Sequence, residues 1–101
     1  MKVEWSPLAL ERIKEIADYI KADSSIAAKN WVNSIFDRTD LLSSAPRSGR
    51  VVPELKNEEI REVIFGNHRI IYAVGAEVLS VLTVRHIRQI LPIEEAPRPN
   101  K

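Results

Sequence analysis

The N-terminal part of the chain carries apolar positions at helical spacing. Apolar and polar residues alternate over Lys2–Trp5, which predicts a short opening strand. Ser6 and Pro7 are residue types favoured at the N-cap and the first position of a helix, and an apolar stripe follows as far as Ala22. Residues 23–25 suit the start of a second helix, and the short connection predicts an antiparallel helical hairpin. The two stripes are Ala9, Ile13, Ile16, Ala17 and Ile20, then Ala28, Trp31, Val32, Ile35, Thr39 and Leu42.

The period changes in the second half of the chain, after a loop of small and turn-prone residues at 43–54. Residues 59–65, 68–74 and 77–86 are rich in β-branched and apolar types, as expected of strands. The separators are Gly66-Asn67 and Gly75-Ala76, which have the composition of two-residue hairpin loops. This half therefore predicts a three-strand antiparallel meander.

The order of these elements predicts an α+β domain, with an N-terminal strand, an antiparallel helical hairpin and then the meander, the helices covering the sheet. No internal repeat or change of composition suggests a second unit, so we assign residues 1–101 to a single domain. Residues 92–101 contain three prolines and are predicted to form an irregular tail.

A two-residue loop at Gly75-Ala76 decides which side chains share a face, because strand side chains alternate. It places Tyr72 opposite Leu79, so that one apolar face receives the helices. The other face is predicted to carry an apolar groove near this loop. Because exposed apolar surface of this extent marks partner sites, we expect the groove to bind a partner. Its members are Ile71, Ala73, Val78, Leu82 and Val84.

The same face is predicted to gather polar groups at its other end, namely Arg69, His86 and Arg88. Arg85 alternates to the opposite side and is placed at the rim. A guanidinium offers a planar fork suited to phosphate or carboxylate, so this arrangement predicts an anion site for phosphate or for an acidic partner segment. The alternative is that these side chains are solvated at strand ends.

Composition narrows the class of protein. The chain has 101 residues, 45% of them hydrophobic and 29% charged, and a formal net charge of +1. These values are typical of a soluble globular domain and argue against a protein that coats nucleic acid by bulk charge. The N-terminus has charges every few residues, which argues against a signal peptide or membrane span.

The absence of cysteine excludes disulfides, thiolate zinc sites and thiol nucleophiles, and it fits a reducing cytoplasm. His68 and His86 have no ligand-spaced carboxylate, and no glycine-rich phosphate loop is present. We therefore expect no metal, no small-molecule cofactor and no membrane partner, and we predict a cytoplasmic location.

Four stretches of the sequence form a familiar combination. "WSPLALERIKEIADYI", "SAPRSGRVVPEL", "IREVIFGNHRIIYAV" and "VLSVLTVRHIRQ" follow one another in order. Together they resemble the RelE/ParE superfamily of toxins from type II toxin–antitoxin modules, over about residues 3–91. The resemblance implies a growth-inhibiting cytoplasmic toxin that is neutralised by a cognate antitoxin. In such families the C-terminal segment of the antitoxin fills apolar grooves and covers basic residues.

The superfamily has two branches with different targets: RelE-like members cut mRNA in the ribosomal A site, and ParE-like members poison DNA gyrase. The resemblance assigns Arg69 and Arg88 to RNA phosphate, His86 to acid–base chemistry and Glu54 to the base of one nuclease subgroup. It implies nucleic-acid contacts for Arg61, Arg69, Arg85 and Arg88. In that chemistry the 2′-hydroxyl of the RNA attacks the adjacent phosphorus while a base accepts its proton.

From these matches the sequence favours a ribosome-dependent mRNA endoribonuclease, with ribosome and mRNA as partners beside the antitoxin. Two departures keep alternatives open. No tyrosine follows Tyr72, although several nuclease members use a C-terminal tyrosine, and the strand of Arg61 lacks the paired lysines of RelE. The alternatives are a ParE-like gyrase inhibitor without nuclease activity and a catalytically inactive, antitoxin-binding relative.

Overall fold

The computed structural model describes residues 1–89, 91 and 95. Two helices and a five-stranded sheet make up the domain, and the predicted α+β class is confirmed. The strands lie in the order β1-β5-β4-β3-β2, with β1 parallel to β5 and the other neighbours antiparallel. The elements are β1 (Lys2–Trp5), α1 (Pro7–Lys21), α2 (Ser25–Asp40), a 3-10 turn (Leu41–Ser43), β2 (Arg50–Val51), β3 (Ile60–Phe65), β4 (His68–Val74) and β5 (Val78–His86).

Two elements of this sheet were not predicted: the short strand β2 and the parallel pairing of β1 with β5. The irregular tail predicted for residues 92–101 lies outside the described residues, apart from Glu95.

A serine side chain caps the N-terminus of each helix. The Ser6 hydroxyl oxygen accepts a hydrogen bond from the Ala9 amide at 3.0 Å, and the Ser24 hydroxyl accepts one from Ala27 at 3.1 Å. The Ser6 hydroxyl also donates to the Leu82 carbonyl at 2.8 Å, which attaches the start of α1 to β5. Among the described residues, no helix has the length and apolar composition needed to cross a membrane.

One face of the sheet packs against the helices and forms the main core. Trp5 and Phe36 extend this core with ring centroids 4.7 Å apart. Burial of these side chains supplies most of the free energy that holds the helices on the sheet. The buried members are Ala9, Ile13, Ile35, Leu42, Val63, Ile70, Tyr72, Val74, Leu79, Val81 and Val84.

The register of the β4–β5 hairpin differs from the predicted one. Three residues, 75–77, separate the strands, and Tyr72 pairs with Val81 in place of Leu79. A β-bulge follows, because Ile71 pairs with Thr83 and leaves Leu82 as the extra residue. The bulge reverses the faces of every later residue of β5.

The reversal corrects three placements. Val84 and His86 lie on the helix side, so Val84 belongs to the main core and is not part of the predicted groove. Arg85 pairs with Arg69 and shares its face, where the sequence placed it on the opposite side. The predicted gathering of Arg69 with His86 is therefore wrong.

Ile71, Ala73 and Leu82 were predicted to line an apolar groove on the far face, but other parts of the chain pack on them and form a second core. Val52 from the β2–β3 loop and Leu91 pack on Ile60 and Ile71, and Ile71 has no exposed surface. Leu55, Ala73 and Leu82 flank this second core. Ile71 is thus a core residue and is not available as a partner contact in this conformation.

The Tyr72 hydroxyl fixes the loop before β2. Tyr72 is fully buried; its hydroxyl donates to the Pro46 carbonyl at 2.7 Å and accepts from the Gly49 amide at 3.0 Å. A Cβ atom on Gly49 would lie 2.5 Å from both the Tyr72 hydroxyl and the Glu62 carbonyl oxygen. Glycine is therefore required for the close approach of this loop to the sheet.

We expect the Gly49→Ala variant to lower the free energy of unfolding by about 1–3 kcal/mol, because the added methyl group overpacks a site closed by backbone. Urea denaturation followed by circular dichroism measures the change. Gly66→Asn is the control: Gly66 has φ +59°, a Cβ atom added there would have nothing within 4 Å, and asparagine tolerates this backbone. Equal stability of the Gly49→Ala variant and the native chain would contradict this account of the loop.

Candidate functional site

Four charged side chains form an ion cluster with a buried centre on the far face of the sheet: Arg50, Glu54, Glu62 and Arg69. Two guanidinium nitrogens of Arg69 donate to the two carboxylate oxygens of Glu54, at 2.8 and 2.9 Å. Its Nε donates to Glu62 Oε1 at 2.6 Å, and Arg50 Nε donates to Glu62 Oε2 at the same distance. Arg69 is 5% exposed and Glu62 1%, so these charges lie inside the molecule.

The cluster draws together parts of the chain that are distant in sequence. Glu62 comes from β3, Arg69 from β4 and Glu54 from the loop between β2 and β3. Arg69 also donates to the Gln89 carbonyl at 2.9 Å, and the Leu91 amide donates to Glu54 at 3.0 Å. The chain that follows β5 is therefore held against the sheet by the same charges.

The bidentate contact shifts the pKa values of Glu54 and Arg69. Hydrogen bonds from Arg69 lower the pKa of Glu54 from an ordinary 4.5 to about 2. The hydrogen bonds to Glu54 in turn raise the pKa of Arg69. Glu54 is consequently ionised at neutral pH and has little tendency to accept a proton.

The ion pair occupies both Arg69 and Glu54. The sequence analysis assigned Arg69 to RNA phosphate and Glu54 to the catalytic base. Each is the bidentate partner of the other, and Arg69 is almost fully enclosed. A phosphate could reach the buried guanidinium of Arg69 only by displacing a carboxylate that pairs with it. The assignment of either residue to catalysis stays a prediction without geometric support.

His86 lies away from the ion cluster, beside His68 on the helix side of the sheet. The two imidazole rings are 5.7 Å apart between centroids, and the His68 ring is 5.5 Å from Trp31. Burial lowers the pKa of His68, and the nearby His86 adds to this effect. His86 is exposed and its Nδ1 accepts the amide hydrogen of Arg88 at 3.1 Å, so His86 and Arg88 are adjacent at the surface.

The two histidines border a groove between α1 and the β3–β4 hairpin, which sequence reasoning missed. This helix–hairpin groove has a volume of about 850 Å³, and its floor is apolar. Tyr19 at its margin is exposed, but Leu10 and Ile26 are exposed on the helices too, so the helical pattern gave no signal of the groove. The groove residues are Glu15, Ile16, Tyr19, Ile20, Trp31, Phe65, Gly66, Asn67, His68 and His86.

The remaining predicted nucleic-acid residues also have intramolecular partners. Arg61 donates to the carbonyl oxygens of Gly49 at 2.9 Å and Glu58 at 3.0 Å, which fastens the loop before β2. Arg85 donates to Glu95 at 2.9 Å. Their contacts with nucleic acid stay predictions. Within residues 1–89, 91 and 95, no group of three or more histidine, cysteine or acidic side chains could hold a metal ion.

Comparisons with known proteins place this geometry in context. The family model described as "ParE toxin of type II toxin-antitoxin system, parDE" matches residues 3–91. A protein of Sinorhizobium fredii named "Putative toxin Y4kP" is 32% identical over 93 residues, covering 90% of this chain and 93% of its own length.

A solved structure titled "Chromosomal ParDE TA system from P. aeruginosa" has the same fold. It superposes with a TM-score of 0.73 over 87% of this chain and 97% of that chain, at 16% sequence identity. At this identity the likeness concerns the fold alone.

We expect Arg69→Met to lower the free energy of unfolding by about 3–5 kcal/mol, because it leaves Glu62 buried without its inner partner. Arg50→Met, which removes the exposed partner of the same carboxylate, should cost about 1 kcal/mol or less. Chemical denaturation of both variants measures the difference. A loss at Arg69 no larger than that at Arg50 would show that the cluster does not organise this face.

The lowered pKa of Glu54 makes stability depend on pH in acid. The carboxylate contributes stability that is fully present above its ordinary pKa of 4.5, and this contribution is lost as the pH falls towards about 2. We expect the Glu54→Gln variant to show a flatter decline than the native chain across that interval. Urea denaturation at a series of pH values tests this, and parallel declines in the two proteins would count against it.

Proposed function

The chain belongs to the ParE toxin family of type II toxin–antitoxin systems, and from this premise we propose that it arrests growth by inhibiting DNA gyrase without cleaving RNA. Membership implies an antitoxin as partner. The choice of target rests on the site.

The mutual ion pair of Arg69 and Glu54 carries the proposal. RNA cleavage through the 2′-hydroxyl needs a base that accepts a proton near neutral pH and cations that contact the phosphate. Here the carboxylate assigned as base has a pKa of about 2, and the arginine assigned to phosphate is enclosed by Glu54 and Glu62. These groups favour a structural role over a catalytic one.

The distribution of charge supports the same conclusion. Six arginines of the described residues form ion pairs with carboxylates of the same chain: Arg12, Arg47, Arg50, Arg61, Arg69 and Arg85. A surface neutralised in this way suits recognition of a protein target by shape and apolar contact more than recognition of an RNA backbone by phosphate neutralisation.

The nuclease hypothesis that the sequence favoured now depends on His86 and Arg88 alone. They are exposed and adjacent, but His86 faces the helix side of the sheet, opposite the ion cluster. Under that hypothesis His86 is the acid–base group, and its replacement would reduce cleavage by about 100-fold or more.

Two assays on the purified chain separate the targets. One adds the chain to gyrase and relaxed plasmid; we expect supercoiling to be lost or cleaved DNA to accumulate. The other adds it to a ribosomal translation reaction, where primer extension on the mRNA should show no new ends. The cognate antitoxin should reverse the effect on gyrase.

The His86→Gln variant is the discriminating reagent, because its exposed site tolerates the change without loss of core packing. New mRNA ends with the native chain that disappear with His86→Gln would overturn the proposal in favour of the nuclease. Unimpaired gyrase together with intact mRNA would also overturn it.

A further inference from the structure

Arg12, Thr83 and Arg85 converge on the carboxylate of Glu95, outside the ion cluster described above. Arg12 Nη2 and Arg85 Nη1 both donate to Glu95 Oε2, at 2.7 and 2.9 Å. The Thr83 hydroxyl donates to Glu95 Oε1 at 2.7 Å. The Glu95 side chain is 9% exposed. We call these three donors the Arg12–Thr83–Arg85 site.

The fold builds this site from two elements. The β-bulge at Leu82 turns Thr83 and Arg85 to the far face of β5, as their pairing with Ile71 and Arg69 shows. Pairing of β1 with β5 ends at Val81, and α1 begins beside that point. Arg12, in the second turn of α1, therefore reaches β5 beyond the end of β1.

The site has more donor capacity than Glu95 uses. Each arginine gives Glu95 a single N–H, whereas Arg69 holds Glu54 with a bidentate pair. The Nε atoms of Arg12 and Arg85 are buried, and neither has a hydrogen-bond acceptor among the described residues. Buried donors without an acceptor cost free energy. A carboxylate that accepted hydrogen bonds from these Nε atoms would therefore bind more tightly than one that did not.

The charges around the site determine which kind of anion it favours. Burial alone would raise the pKa of Glu95, but hydrogen bonds from Arg12 and Thr83 outweigh it and lower that pKa, so the ligand present is a monoanion. Glu15 also lies 3.1 Å from Arg12 and places a second negative charge next to the site. Two guanidinium groups and Glu15 leave one positive charge, which matches one carboxylate and disfavours a dianionic phosphate.

We propose that the Arg12–Thr83–Arg85 site receives an acidic side chain of the antitoxin, and that Glu95 occupies it as an intramolecular competitor until the antitoxin binds. The identity of this partner rests on the toxin–antitoxin assignment, but the site is independent of the toxin's target. Glu95 would then lower the affinity for the antitoxin carboxylate by the fraction of molecules in which it fills the site.

The test uses the full-length ¹³C,¹⁵N-labelled chain and an N-acetylated oligoglutamate peptide as the probe. Nuclear magnetic resonance follows the Nε–H signals of Arg12 and Arg85 and the amide of Thr83. We expect the peptide to shift these signals, and the Glu95→Gln variant to bind it about tenfold more tightly than the native chain does. Arg85→Gln added to Glu95→Gln should abolish the binding.

Glu59→Gln is the matched control, because it removes a carboxylate that pairs with Arg47 at the surface, with both side chains 51% exposed. Its affinity for the peptide should equal that of the native chain. An oligoglutamine peptide controls for backbone contacts, and an oligothymidylate presents monoanionic phosphodiesters in place of carboxylates.

Equal affinity of Glu95→Gln and the native chain would overturn the proposal, as would shifts caused by the oligothymidylate and not by the oligoglutamate. If Glu95→Gln fails to fold, the native chain decides at saturating peptide: displacement requires the Glu95 side-chain carboxyl carbon to move to its solvated chemical shift, and an unmoved signal refutes it. None of these outcomes depends on gyrase or mRNA, so this experiment tests the carboxylate site independently of the proposed target.

Discussion

A guanidinium enclosed by a sheet must be neutralised by carboxylates, and Arg69 imposes this requirement on the C-terminal half of the molecule. Removing the charge from water costs several kcal/mol, in order of magnitude, unless its donors are satisfied. Glu54 and Glu62 supply the compensating charges, and the Gln89 carbonyl supplies a further acceptor. The loop after β2 and the chain after β5 are therefore placed where these acceptors are needed, and the second core around Ile71 closes beneath them.

The second determinant is the β-bulge at Leu82, which decides the chemistry available on each side of β5. Before the bulge, Leu79 and Val81 face the helices; after it, Val84 and His86 do. If the register of Tyr72 with Val81 continued without a bulge, Arg85 would face the helices and His86 would share the far face with Arg69. One inserted residue therefore separates the histidine from the buried arginine and brings Arg85 to the face on which Glu95 is bound.

Local patterns account for what sequence reasoning predicted well. The stripes of α1 and α2 and the capping by Ser6 involve residues within one or two turns of each other, where periodicity and hydrogen-bonding preference act directly. The bulge was not predictable in this way, because the alternation of side chains between the two faces assumes that every residue of β5 pairs with one residue of β4. The ion cluster was equally hidden: Glu54 and Arg69 are 15 positions apart, and the arginine in "HRIIY" looks the same whether a carboxylate or a phosphate neutralises it.

The contrast between the two arginine sites on the far face bears on how such a toxin can be both stable and responsive. Arg69 binds Glu54 with a bidentate geometry inside a closed cluster, and exchange there would expose a charged pair and open the second core. Arg12 and Arg85 bind Glu95 through single N–H groups and keep buried donors in reserve. The same residue types therefore serve two purposes: full coordination makes one site part of the fold, and incomplete coordination leaves the other able to change its ligand. Neighbouring arginines in this fold are best distinguished by how completely their donors are satisfied, since charge alone does not separate them.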